Sequence, residues 1–146
     1  MQKAQIDLLN VLGLQLTGKD VRVRERKPAT KGLLGEIHRD LKGQLIIDIS
    51  PEITTNQKRL HIILHEFAHA KHHVFIKSDW NEAPPDSVIG DPLDAGDMLR
   101  EGTAEKQVAE WKAWGEAKAR ELVPDFYKIA PFEATLIALM AYKEDK

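Results

Sequence analysis

The chain has no cysteine. Disulfides, thiolate metal sites and cysteine nucleophiles are therefore excluded together, and the composition suits a reducing compartment. A strong charge of either sign is missing too: 21 Lys and Arg stand against 23 Asp and Glu, a formal net charge of −2. No global field draws in nucleic acid at that balance, so direct nucleic-acid binding is not expected. No apolar run is long enough to span a bilayer, and no membrane partner is expected. Residues 1–19 lack the charged-then-apolar layout of a signal peptide, which makes a cytoplasmic protein the expectation. Internal repeats and low-complexity tracts are absent. The 146 residues, 42% of them hydrophobic, suffice for a single domain over 1–146 with a proper core.

What is present reads as a series of short elements. Ile6, Leu9, Leu12 and Leu16 recur at helical spacing and predict a first helix over about 6–16, ending near Gly13 or Gly18. Residues 21–26 alternate, with Arg22, Arg24 and Arg26 forming one basic, solvated strand face. Pro28 and Gly32 punctuate the turn that follows. Residues 35–39 and 44–50 predict a hairpin around Asp40, Leu41, Lys42 and Gly43, with Leu45, Ile47 and Ile49 on one face and Ile46 and Asp48 on the other. Thr54 and Gln57 have the spacing of a capping box that opens a helix running to about Val74. On that helix Leu60, Ile63, Phe67, Ala70 and Val74 make a core stripe, whereas His61, His65, His69 and His72 fall on a different side.

Farther along, residues 78–97 form an acidic loop. The stretch 78–99 holds six Asp or Glu, three Pro, two Gly and no Lys or Arg, which predicts irregular structure. Its Asp91, Asp94 and Asp97 lack the spacing of a calcium loop and read as ordinary loop acids, with a lid over a cleft as the functional alternative. Asp97 is placed to cap a helix over about 98–122. Ala104, Val108, Trp111, Gly115 and Leu122 give that helix an inward stripe, and Trp111 and Trp114 read as packing residues. Pro124 ends it, and Pro131 opens a last helix reaching about Tyr142.

The chemistry concentrates at His65-Glu66-Phe67-Ala68-His69. Two His four residues apart point the same way from a helix, so both imidazoles can reach one zinc ion, and the intervening Glu66 can take a proton from the attacking water. With 6 His and 12 Glu in the chain, independent placement yields only about 0.02 such pentapeptides. A catalytic zinc site uses three protein ligands. Glu101 is the candidate third ligand, because it falls on the inward stripe of its helix, where a carboxylate is costly unless something pairs with it. Glu105, one turn later, can accept the free ring N–H of a ligand histidine, or the two can exchange roles. His61 extends the His65, His69 series, but three successive turns of a straight helix do not converge well on one ion. His72 and His73 read as solvated. For an oxyanion donor only His38, His72, His73, Tyr127 and Tyr142 offer the chemistry.

The combination of His65-Glu66-x-x-His69 with Glu101-Gly102-Thr103-Ala104-Glu105 about thirty residues on resembles the zincin metallopeptidases whose third ligand is Glu. Among these it looks most like the ImmA/IrrE-type metallopeptidases, small proteins of bacteria, phages and mobile elements. The likeness covers about 44–114. At two positions this chain differs from the family's usual pattern: Glu105 stands where Asn or Asp is commoner, and Val108 where an aromatic is. The resemblance implies an α+β, zincin-like domain, with a short sheet, mainly antiparallel or mixed, packed on the motif helix and further helices at the C-terminus. It also implies one zinc per chain and a zinc-dependent endopeptidase acting on a protein or peptide substrate, such as a repressor or other regulator of bacterial or phage origin. An edge strand lines the cleft in that family, a role for which residues 44–50 are the candidate. The competing readings are a catalytically silent zinc-binding interaction protein and a structural domain without metal.

Overall fold

The computed structural model describes residues 1–72 and 98–143, and the side chains of 98–103 lie outside that description. Among the described residues eight elements follow in order: α1 (Lys3–Thr17), β1 (Val21–Glu25), β2 (Gly35–Arg39), β3 (Leu45–Ile49), α2 (Asn56–His72), α3 (Met98–Leu122), α4 (Pro124–Ile129) and α5 (Pro131–Leu139). Val74, His73, the acidic loop 78–97 and Asp97 as a cap fall outside the described residues.

The three strands form one sheet in the order β1-β3-β2. Val21 pairs with Leu45 in a parallel register, and Gly35 pairs with Ile49 in an antiparallel one. The sheet is therefore mixed, one of the two forms expected, with one parallel and one antiparallel pairing. The chain reverses twice between β1 and β3, which restores its direction, and β3 inserts beside β1 as the central strand. Asp40 shapes the second reversal: its side chain accepts the backbone N–H groups of Lys42 and Gln44, both at 2.9 Å. Alternation in the sequence marks each strand but carries no information about which neighbour it joins.

Side-chain alternation sorts the two faces of the sheet. Val21, Val23, Ile37, Leu45, Ile47 and Ile49 belong to the main core, together with Leu9, Leu12 and Leu16 of α1. Gly18, in the left-handed region at φ 74, ends α1 by donating its N–H to the Leu14 carbonyl. From α2 the core takes Leu60, Ile63, Leu64 and Phe67. Burying each of these is worth about 1.5–3 kcal/mol, against a few tenths for a pair on an exposed helix face. The apolar face thus sets the position of α2, and its histidines go where the opposite side points. Trp111 of α3 and Phe132, Leu136 and Leu139 of α5 complete the core.

Several details differ from the sequence pattern. Thr55, rather than Thr54, caps α2, its hydroxyl accepting the Lys58 N–H at 3.2 Å. On α3, Leu122 is exposed while Ala119 and Gln107 are buried, although Leu122 lies about five full turns from the buried Ala104 and points the same way. Pro124 opens an additional helix, α4, having the fixed φ that suits a first turn. The last helix stops at Leu139, and a turn brings Tyr142 back to donate its N–H to the Leu139 carbonyl at 3.0 Å.

The outer face of the sheet carries its own cluster of polar side chains. Arg22 and Arg26 of the basic face are exposed, whereas Arg24 is half-buried and paired: its Nε and Nη2 donate to the two oxygens of Asp48 at 2.9 and 3.2 Å. His38 Nδ1 stands 3.6 Å from the same carboxylate, and both residues are buried. Burial holds the His38 pKa below its ordinary value, an effect opposed by the Asp48 charge. The turn after β1 folds back so that the Thr30 hydroxyl donates to the buried Glu36.

Candidate metal centre

Between α2 and the sheet edge runs a cleft of about 490 Å³. Its helix wall is a single stripe of α2: Lys58, His61, Ile62, His65, Glu66 and His69. The opposite wall is residues 32–37, the end of the turn and the start of β2. The strand lining the cleft is thus β2, the sheet edge, and not residues 44–50, which form the central strand. Gly35 lets strand and helix touch, since a Cβ there would sit 2.5 Å from Ile62 Cγ2 and 3.5 Å from Glu66 Cγ.

His65 and His69 stand one helical turn apart. Their rings meet edge to face, with centroids 4.6 Å apart, and their Nε2 atoms approach to 3.0 Å. Glu66 is buried beside them at 6% exposure, and His69 is buried as well at 8%.

Glu105 reaches in from α3. Its Oε1 lies 2.9 Å from His65 Nδ1 and its Oε2 3.8 Å from His61 Nε2. The shorter approach lies off the alignment of a hydrogen bond. A carboxylate on that side favours a proton at His65 Nδ1 and directs the Nε2 lone pair toward His69. Two outcomes are then open to the facing nitrogens. One can donate to the other, or both can offer lone pairs to a cation.

The donor set fits zinc. Two nitrogens bound at 2.0–2.1 Å to a tetrahedral ion are roughly 3.3 Å apart, close to the separation present here, and imidazole with carboxylate is an ordinary zinc combination. Glu101 is in α3, one turn before Glu105, and its side chain lies outside the described residues. Among the described residues no group of three His, Cys, Asp or Glu is placed to hold an ion. His61 does not join the pair: its ring stacks on His65 with centroids 6.5 Å apart.

The candidate oxyanion donors are engaged elsewhere. His38 faces Asp48 on the far side of the sheet. His72, expected to be solvated, has its Nε2 2.9 Å from Gln107 Oε1. The Tyr142 hydroxyl donates to Glu110 at 2.5 Å, and Arg120 donates to the Tyr127 hydroxyl at 3.2 Å. None of the four lines the cleft, and His73 lies outside the described residues. Sequence reasoning passed over Lys58 and Ile62, although their spacing from His65 and Glu66 (seven and four residues) places them on the same side of α2.

No protein-family model, curated protein or solved structure matches this chain. No helix among the described residues is long and apolar enough to cross a membrane.

Proposed function

We propose that this chain is a zinc-dependent metalloendopeptidase, with zinc held by His65, His69 and Glu101 and with Glu66 as the general base. The observation that carries the reading is the facing pair of Nε2 atoms, 3.0 Å apart on a cleft wall with a buried carboxylate between their positions in the chain. A pair of solvated surface histidines has no reason to converge in this way or to lie beside a buried Glu.

When bound, zinc lowers the pKa of a water toward about 7 and polarises the scissile carbonyl. The chain's own residues do the rest. Glu66 takes a proton from the attacking water and passes it to the leaving amine. Glu66 is 6% exposed, with its Cγ beside Gly35, so burial restricts the movement of its side chain. Glu105 orients the His65 ring from behind. The free edge of β2 offers backbone groups to an extended substrate, a recurrent way of binding a peptide.

Metal content is the test. Untagged protein purified without chelator is measured by elemental mass spectrometry, alongside His65→Ala, Glu101→Ala and Glu105→Ala. The expected result is about one zinc per chain, as for a mononuclear site, lost in His65→Ala and Glu101→Ala and retained in Glu105→Ala. Loss in Glu105→Ala with retention in Glu101→Ala moves the third ligand one turn along α3. Wild type that binds no metal after zinc is added back overturns the reading.

A further inference from the structure

The cleft continues past the histidine pair. Along α2 its lining extends seven residues back from His65 to Lys58, which at 1.5 Å rise per residue is about 10 Å. This far end has its own chemistry. Leu33 is 41% exposed on the facing wall. Leu34 and Ile62 are half-buried, resting on the core from the cleft side. Apolar surface is thus offered to the cleft as well as to the interior. Lys58 is exposed at the rim and has no carboxylate partner among the described residues.

The wall is also fixed in place. Thr30 donates its hydroxyl to Glu36, and Leu33 donates its N–H to the Thr30 carbonyl at 3.3 Å. Ser50 donates its N–H to the Leu34 carbonyl at 2.9 Å, which ties the loop to the end of the central strand. At the floor, Gly35 and Ile62 leave no room for even one added carbon. Such a surface is preformed and needs no ordering when a ligand arrives.

We infer that this end of the cleft is a substrate subsite. It takes a bulky apolar side chain against Leu33, Leu34 and Ile62, and a carboxylate against Lys58. An extended peptide advances about 3.3 Å per residue, so the 10 Å between His65 and Lys58 corresponds to about three residues. The protein therefore selects peptides with an acidic residue about three positions from the scissile bond, on one side of it, and an apolar residue between the two. The inference rests on the peptidase reading and goes beyond it in naming the sequence that is cut.

Charge reversal tests it. Zinc-loaded wild type and Lys58→Glu are incubated with peptides from a digested cell extract, and the new termini are identified by mass spectrometry. Position 58 is the third residue of α2 behind the Thr55 cap, where Glu completes a capping box, so the variant is expected to fold, as circular dichroism will check. In wild type, Asp and Glu should be enriched about two- to fivefold at that position, the discrimination an exposed ion pair supplies. In Lys58→Glu the enrichment should pass to Lys and Arg. Cleavage by both proteins with one shared preference overturns the subsite and leaves the peptidase reading standing. A zinc-loaded wild type that cuts no peptide overturns both.

Discussion

Two clusters of ionisable side chains flank the sheet and differ in how their polar atoms are used. On the outer face, Arg24 donates twice to Asp48, His38 stands against the same carboxylate, and Thr30 donates to Glu36. Arg24 offsets the Asp48 charge, Thr30 caps Glu36, and three of the ionisable members, Glu36, His38 and Asp48, are almost wholly buried. On the cleft side, His65 and His69 aim their Nε2 atoms at each other beside an open volume, and Glu105 approaches the first ring from behind. Buried charge is common to both clusters and so does not mark a site by itself. What separates them is whether the donors and acceptors face one another inside the fold or face a space that a ligand can enter.

The largest effect is expected at Glu66. Glu66→Gln should keep its zinc and lose about 10²–10⁴-fold in cleavage, the range for removing a general base. A variant that cuts at the wild-type rate would assign the proton transfer to another group. Glu105→Gln sharpens the same cluster. Weakening the carboxylate behind His65 should reduce zinc affinity about 10–100-fold, measured by competition with a chelator, and an unchanged affinity would make the 2.9 Å approach incidental.

Across the sheet the opposite signature is expected. Asp48→Ala removes the acceptor for Arg24 and should cost about 1–3 kcal/mol in thermal or denaturant unfolding, toward the low end because Arg24 keeps access to water. Zinc content should not change. Loss of metal in that variant would join the two clusters into one functional unit and break the contrast.

The smallest effect concerns pH. Burial, with Arg24 and Arg26 nearby, holds the His38 pKa below 6.5, while Asp48 and Asp40 act in the other direction. The unfolded chain takes up its proton at the ordinary value and the folded chain only at lower pH. The unfolded state thus binds more protons just below pH 6.5, and stability falls as the pH drops through that region. His38→Gln should flatten this fall in melts run between about pH 7 and 5. Parallel slopes for the two proteins would show that another group sets the acid limit.

Much of the fold was legible because its signals are local. Val21 and Val23 alternate with arginines, Leu45, Ile47 and Ile49 share one face, and Leu60, Ile63 and Phe67 repeat at helical spacing. Each pattern states which face a segment must bury, and the structure buries those residues. The reading failed where a choice depended on a distant partner. Arg24 looks unpaired until Asp48 is found opposite it in the register. Leu122 continues the inward pattern of α3 in sequence, yet it is 57% exposed at the end of the helix.

The candidate site divides in the same way. Spacing alone puts His65 and His69 on one side of a helix with Glu66 near them, since an α-helix returns to the same direction after four residues. Composition alone removes cysteine chemistry. Only the tertiary structure decided that β2 and not β3 is the edge facing the cleft, that Glu105 comes within 2.9 Å of His65, and that Gly35 lies against Ile62 beside the motif. A periodic pattern specifies a buried face with no reference to what covers it. The covering element is selected by shape and register across the whole core, and residues far apart in the chain meet only once that core has formed.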